Sequence, residues 1–111
     1  MTYEQVKKNV QQVLDIWQQQ KPELEKTYAV NDRRKVELIQ PAINQLEWLI
    51  EQSDEVKNPH TGKMHYALAP NNYEERIEFI KLQKNSHYAF IQLSMLYDEM
   101  KKKAARLRVQ Q

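Results

Sequence analysis

The sequence predicts an all-α protein: an antiparallel bundle of three or four helices, with one long loop between the second and third helices. Only one glycine and four prolines occur in 111 residues, whereas sheets and barrels need many glycine-containing turns. Three long segments repeat apolar residues at spacings of three and four, which is the period of an amphipathic helix. The length corresponds to a single helical domain, residues 1–111, with room for one buried core.

The first helix is predicted over residues 3–20. Its apolar side chains follow one another at spacings of four, three and four and form one narrow stripe: Val6, Val10, Val13 and Trp17. Pro22 cannot continue an uninterrupted helix, but it suits the first turn of a new one. The helix therefore either stops near Gln20 or kinks there and carries Leu24 onward.

The second helix is predicted over residues 31–53. Asn31 or Asp32 is expected to be its N-cap, because both side chains accept hydrogen bonds from free amides. A strict three-four spacing then sets its buried side: Val36, Ile39, Ile43, Leu46 and Ile50. Pro41 lies inside this pattern and removes one backbone hydrogen bond, which predicts a kink just before it or two collinear pieces.

Residues 53–72 break the periodicity with Ser53, Asn58-Pro59, Gly62 and Pro70. They predict a loop of about 20 residues, and loops of that length are usually functional or mobile. The stretch from Val56 to Tyr66 can fold back on itself as a short hairpin.

The third helix is predicted over residues 72–107 and is apolar on two sides. The broad side includes Phe79 and Leu82. The second side consists of Ile77, Ile80, Tyr88, Ile91 and Met95. A helix that is apolar on two sides must be covered on both, so we expect self-association along this helix, as a homodimer. A break at Asn85–Ser86 is the alternative and would give four helices.

Trp48 stands on the side of the second helix that faces away from the predicted core stripe. A large aromatic in that position is either covered by another segment or offered to a partner. The long loop is unusually apolar, with Met64 and Tyr66 among its residues. We expect Trp48 and this loop to form one surface, either closed on itself or presented to a partner protein.

The C-terminal end, residues 101–111, is basic through Lys101, Lys102, Lys103, Arg106 and Arg108. Residues 1–55 hold seven Lys/Arg and ten Asp/Glu, a net −3, whereas residues 56–111 hold ten and five, a net +5. The basic end predicts an alternative function as a nucleic-acid-binding accessory protein. In a helix, however, these cations spread over more than one side, and aromatic residues for base stacking do not interleave with them.

Glu74, Glu75 and Glu78 spell E-E-x-x-E. This pattern resembles the first acidic motif of all-helical nucleotide pyrophosphohydrolases of the MazG type, which gather Mg²⁺ on carboxylates. The resemblance implies a metal-dependent nucleotide hydrolase, the weaker alternative. Those enzymes also use an E-x-x-D on a facing helix, and here Met95 stands three residues before Asp98, so the second motif is missing.

Other chemistry is poorly supported by the residues present. The chain has no cysteine, which excludes a disulfide scaffold and a thiol nucleophile. Its three histidines do not stand at metal-ligand spacing on one helix, and no cofactor or metal is predicted. A signal peptide and a membrane-spanning segment are not predicted either. We therefore expect a cytoplasmic, non-catalytic protein that acts by protein–protein association, as an adaptor, inhibitor or regulatory subunit.

Overall fold

Four α-helices and one short β-hairpin form the part of the chain that the structure describes. The structure is a computed structural model covering residues 2–109, with side chains as far as Leu107. The order is α1 (Tyr3–Ala29), α2 (Lys35–Gln52), β1 (Glu55–Lys57), β2 (Met64–Tyr66), α3 (Tyr73–Leu82) and α4 (His87–Val109). The predicted all-α class is confirmed, in its four-helix form and with the long connection between the second and third helices.

The core lies between α1, α2 and α4, whose inward-facing side chains form one apolar cluster. Trp17 of α1 stacks on Tyr97 of α4 with ring centroids 4.1 Å apart. The Tyr97 hydroxyl donates to the Ala42 carbonyl of α2 at 2.6 Å and accepts from the Gln45 side-chain amide. These contacts join three helices at one point and give the polar end of a buried aromatic its partners.

Helix α1 continues through Pro22 to Ala29, so the end near residue 20 is wrong and, of the two alternatives at Pro22, the one that carries Leu24 onward is observed. Pro22 removes one hydrogen bond, but the buried stripe keeps its phase beyond it. Leu24 and Tyr28 are both buried and extend the side that carries Trp17. Burial of two large side chains offsets the missing bond, since each contributes about 1.5–3 kcal/mol.

Asn31 ends α1 instead of starting α2. It adopts a left-handed conformation with φ 55°, and its N–H donates to the Tyr28 carbonyl while that of Asp32 donates to the Thr27 carbonyl. This is the Schellman arrangement at a helix C-terminus, where asparagine substitutes for glycine. The Asp32 carboxylate accepts from the Arg34 N–H, and α2 begins only at Lys35. The predicted start at residue 31 is therefore four residues early.

The connection after α2 contains the predicted hairpin. Strands β1 and β2 are antiparallel, with Val56 opposite His65, and Gly62 takes a positive φ of 73° in the turn between them. Leu68 then enters the core, and its N–H donates to the Ser53 hydroxyl. The connection is thus folded and anchored at its base.

The predicted third helix is divided into α3 and α4 by a turn at residues 83–86, so a continuous helix over residues 72–107 is wrong and the alternative with a break at Asn85–Ser86 is confirmed. The Gln83 N–H donates to the Phe79 carbonyl as α3 ends, and the Ser86 hydroxyl accepts from the Tyr88 N–H as α4 begins. The Tyr28 hydroxyl of α1 donates to the Lys84 carbonyl at 2.5 Å and ties the turn to the bundle.

Because of this break, α3 packs against α4 as a separate helix, and its sides do not continue those of α4. Ile77 and Ile80 are buried in the core, although the sequence predicted them on the second, partner-binding side. Their assignment to a surface is corrected, because the turn at 83–86 rotates α3 relative to α4. An ion pair between Lys81 and Glu47 joins α3 to α2.

Candidate protein-binding surface

Five large apolar side chains are exposed together on α3 and α4. We call them the outer patch: Phe79, Leu82, Tyr88, Ile91 and Met95. Their exposed fractions run from 37% for Phe79 to 72% for Leu82. Tyr88, Ile91 and Met95 follow the three-four spacing that puts them on one stripe of α4. The rings of Phe79 and Tyr88 meet edge to face with centroids 5.6 Å apart, so the patch continues across both helices.

The core does not use the outer patch. The opposite side of α4 is apolar and buried as far as Met100, and consists of Ala89, Phe90, Leu93, Leu96, Tyr97 and Met100. Tyr88, Ile91 and Met95 are therefore additional to the side chains that hold α4 in the bundle. A contiguous apolar surface on a small protein is typical of an interaction site.

Sequence reasoning missed Phe79 and Leu82 as surface residues. Both were assigned to the broad side of one continuous helix, whereas the turn at 83–86 brings them out beside Tyr88. The same rotation buries Ile77 and Ile80. The sequence signal for a break was Asn85–Ser86, because both residues have a low helix propensity. This signal does not give the angle between the two helices.

Charged side chains of opposite sign lie beyond the outer patch. Helix α3 exposes Glu74, Glu75 and Glu78, whereas α4 exposes Asp98, Lys101, Lys102 and Arg106. Between them, the Arg76 guanidinium makes two hydrogen bonds to the Glu99 carboxylate, at 2.5 and 3.0 Å. That pairing lowers the pKa of Glu99 below its usual value and joins α3 to α4.

The predicted nucleic-acid-binding residues do not form a separate arm. Lys101, Lys102 and Arg106 are exposed and Lys103 is half-buried, while the side chain of Arg108 lies outside the described residues. Ala104 and Leu107 pack against the core, so the basic segment is the last part of α4 and is held on the bundle. Whether these residues bind nucleic acid stays a prediction.

Trp48 is 46% exposed on α2, which favours the open alternative for this residue. Two apolar residues of the loop, which could cover Trp48 in the closed alternative, lie elsewhere: Tyr66 packs against the core and Leu68 is buried within it. Met64 is exposed on β2. The role of Trp48, Met64 and Tyr66 in partner binding stays a prediction.

A cleft of about 760 Å³ opens between the hairpin, the turn before α3, the first turn of α3 and the end of α4. Tyr66, Tyr73, Glu74, Glu75 and Lys103 are among the residues that line it. Burial raises the pKa of Tyr73 well above the usual range for tyrosine. The cleft brings the acidic end of α3 and the basic end of α4 to the same end of the molecule.

Among the described residues there is no group of three or more histidine, aspartate or glutamate side chains that could hold a metal ion. The acidic motif of Glu74, Glu75 and Glu78 lies exposed along α3. None of the described helices is both long enough and apolar enough to cross a membrane.

Comparisons with known proteins place the chain in a family. A search of curated proteins and a search of solved structures found no match. A family model, described as YpoC-like protein, matches residues 7–111. Because this match covers nearly the whole chain, the protein belongs to the YpoC-like family.

Proposed function

We propose that the protein is a non-catalytic, cytoplasmic helical protein that acts by protein–protein association, as an adaptor, inhibitor or regulatory subunit. The outer patch is its contact surface. The observation that carries this proposal is that five large apolar side chains are exposed contiguously on α3 and α4 while the core is filled without them.

The composition of the outer patch supports a protein partner. Aromatic residues and methionine are enriched in the centres of protein interfaces, and tyrosine is among the commonest hot-spot residues. The patch contains Phe79 and Tyr88, already in contact with each other, beside Met95. Burying the exposed parts of such side chains contributes a fraction of the about 1.5–3 kcal/mol that full burial of each would give, and this gain is set against the entropy lost on association.

The surroundings of the patch have the form of an interface rim. Glu78 on α3 and Asp98 on α4 are exposed charges at its border. Polar, solvent-accessible rims around an apolar centre are typical of reversible protein interfaces. The rim favours a partner whose own surface is apolar at the centre and charged at the edge.

Site-specific photo-crosslinking in cells of the native host tests this proposal. A photoreactive amino acid replaces Ile91 at the centre of the patch, and a matched control carries the same residue at Gln19, exposed on α1. We expect discrete covalent adducts to protein from position 91 and not from position 19. The adduct should disappear when Tyr88→Lys and Met95→Lys are added, because charges at the interface centre cannot be desolvated cheaply.

Adducts from position 91 that are no stronger than those from position 19 would contradict the proposal. Adducts that persist in the Tyr88→Lys/Met95→Lys variant would also contradict it, since the contact would then not depend on the patch. The mass of the adduct identifies the partner class, because a second copy of this chain doubles the mass and another protein gives a different one.

A further inference from the structure

We propose that the partner of the outer patch is a second copy of this chain, bound face to face about a two-fold axis parallel to α3 and α4. In this dimer α3 of one copy lies over α4 of the other. The inference rests on the proposed function, since it uses the same patch. It adds the identity of the partner and the arrangement of the two copies.

The outer face of the α3–α4 pair has two unlike ends. At the turn end, where α3 meets α4, the exposed side chains include Phe79, Leu82 and Tyr88. At the open end the exposed side chains are charged, with glutamates on α3 and mainly cations on α4. Glu74, Glu75 and Lys103 line one cleft, which shows that the two charged segments lie at the same end.

This polarity selects the orientation of the axis. Closed dimers of identical chains use a two-fold axis, and the same surface of each copy meets itself. If the axis ran across the helices, the turn end of one copy would lie on the open end of the other, and apolar side chains would bury unpaired charges. With the axis along the helices, the turn ends meet each other and the open ends meet each other.

The same axis also pairs opposite charges. It places α3 of one copy over α4 of the other, so the segment with Glu74, Glu75 and Glu78 faces the segment with Asp98, Lys101, Lys102 and Arg106. The first carries three negative charges. The second carries three positive charges and one negative charge, a net +2. Because the contact is symmetric, this attraction is made twice in the dimer.

These charges remain available for a partner because their neighbours are already paired. Arg76 is held by Glu99, and Lys81 is held by Glu47. Among the described side chains, the exposed glutamates of α3 and the exposed cations of α4 make no ion pair within the chain, although the charge of Lys102 also helps to lower the pKa of Glu99. In the monomer the acidic segment of α3 and the basic segment of α4 therefore lie side by side. Each of them is complementary in charge to the other segment of a second copy.

A complementary charge exchange tests the arrangement. The acid-reversed variant carries Glu74→Lys, Glu75→Lys and Glu78→Lys. The base-reversed variant carries Lys101→Glu, Lys102→Glu and Arg106→Glu. The matched control reverses three exposed glutamates of α1, with Glu4→Lys, Glu23→Lys and Glu25→Lys, and changes the net charge by the same amount as the acid-reversed variant.

Native mass spectrometry and sedimentation give the species present. We expect each reversed variant alone to dimerise at least about tenfold more weakly than the wild type, because like charges then face each other. Mixing the two variants should restore dimerisation as a heterodimer, because the net charges of the facing segments are again opposite in sign. The control should dimerise like the wild type. Circular dichroism checks that each variant remains helical.

Wild-type dimerisation should also weaken as salt rises from about 0.05 M to about 0.5 M, because exposed charges are screened. This measurement needs no variant and serves if a reversed chain does not fold. A wild-type chain that stays monomeric would overturn the inference, while a crosslinked adduct to another protein would leave the proposed function standing. Reversed variants that dimerise like the wild type, or fail to form heterodimers although folded, would overturn this arrangement of a dimer.

Discussion

At the scale of single residues, the two tryptophans occupy opposite environments. Trp17 is buried and stacks on Tyr97, whereas Trp48 is exposed on the outer side of α2. The same side chain therefore contributes to the core in one position and to the surface in the other. The sequence placed Trp17 on the apolar stripe of α1 and Trp48 on the other side of α2, but it left open whether another segment covers Trp48.

Replacing each tryptophan by alanine should separate these roles. Trp17→Ala should lower the free energy of unfolding by about 3–5 kcal/mol, the usual cost of truncating a buried aromatic. Trp48→Ala should change it by about 0.5 kcal/mol or less, as at ordinary surface positions. Urea unfolding followed by circular dichroism measures both. A Trp48→Ala variant as destabilised as Trp17→Ala would show that another segment covers Trp48.

The buried tyrosines predict how stability depends on alkaline pH. Burial raises the pKa of Tyr28 to about 12 and the pKa values of Tyr73 and Tyr97 further, whereas tyrosine in the unfolded chain has a pKa of about 10. Above that pH the unfolded chain binds fewer protons than the folded one, so stability falls as pH rises. The stabilising contribution of Tyr28 is full below about pH 10 and is lost as pH rises toward its folded pKa of about 12.

Urea midpoints of the wild type and of Tyr28→Phe, measured between about pH 8 and about pH 12, test this dependence. Tyr28→Phe should be less stable at neutral pH, because the Lys84 carbonyl loses its donor. Its stability should fall less steeply with pH than that of the wild type. Parallel pH profiles for the two proteins would show that Tyr28 ionises normally in the folded state.

At the scale of helices, the sequence predicted the phase of the apolar pattern better than it predicted the helix ends. The stripes of α1 and α2 predicted the buried sides of both helices, and they remain in phase across Pro22 and Pro41. The end of α1 was harder to predict, because local chemistry at Pro22 favours a stop while the burial of Leu24 and Tyr28 is a tertiary effect. Asn31 was ambiguous for a similar reason, since asparagine suits both helix ends.

The turn between α3 and α4 marks the limit of sequence reasoning for the candidate site. Periodicity gives the faces of one helix, but it does not give the rotation between two helices that a turn separates. The apolar stripe of Tyr88, Ile91 and Met95 was predicted, and it lies exposed. Phe79 is exposed although it was predicted on the broad side, and Ile80 is buried although it was predicted on the second side. No local sequence pattern indicates the hydrogen bond from Tyr28 to Lys84, because the two residues are 56 positions apart.

The rotation of α3 can be tested by a pair of truncations. Ile80→Ala should cost about 2–5 kcal/mol, because Ile80 is completely buried. Leu82→Ala, compared in the monomeric Ile91→Glu background, should leave the stability nearly unchanged, within about 0.5 kcal/mol, because Leu82 is mostly exposed in the monomer. Thermal or urea unfolding of the two variants provides the comparison. The opposite order of stabilities would mean that α3 is turned as a continuous helix would place it.

At the scale of the whole molecule, charges that are unevenly distributed along the sequence lie close together in space. Glu74 and Glu75 of α3 and Lys103 of α4 line one cleft, so the acidic end of α3 and the basic end of α4 lie at the same end of the molecule. A nucleic acid that approached the cations of α4 would also meet Glu74 and Glu75. This neighbourhood favours a partner that carries both charges over a uniformly negative one.

The nucleic-acid alternative predicts steep salt dependence, because each phosphate contact releases counterions. Removing residues 101–111 is a poor test, since Ala104 and Leu107 pack against the core. Lys102→Gln/Arg106→Gln keeps the helix and removes two exposed cations. We expect fluorescence anisotropy to show no binding of DNA or RNA at about 50 mM salt. Binding that weakens in this variant and with added salt would favour the alternative instead.

The association account is tested most directly by the mass in solution of the wild type and of Ile91→Glu, measured side by side at micromolar concentration by light scattering. Ile91 lies at the centre of the outer patch and outside the core, so its replacement should leave the fold intact. We predict a mass of twice 13.4 kDa for the wild type and 13.4 kDa for the variant. Equal masses for the two proteins would contradict self-association through the outer patch.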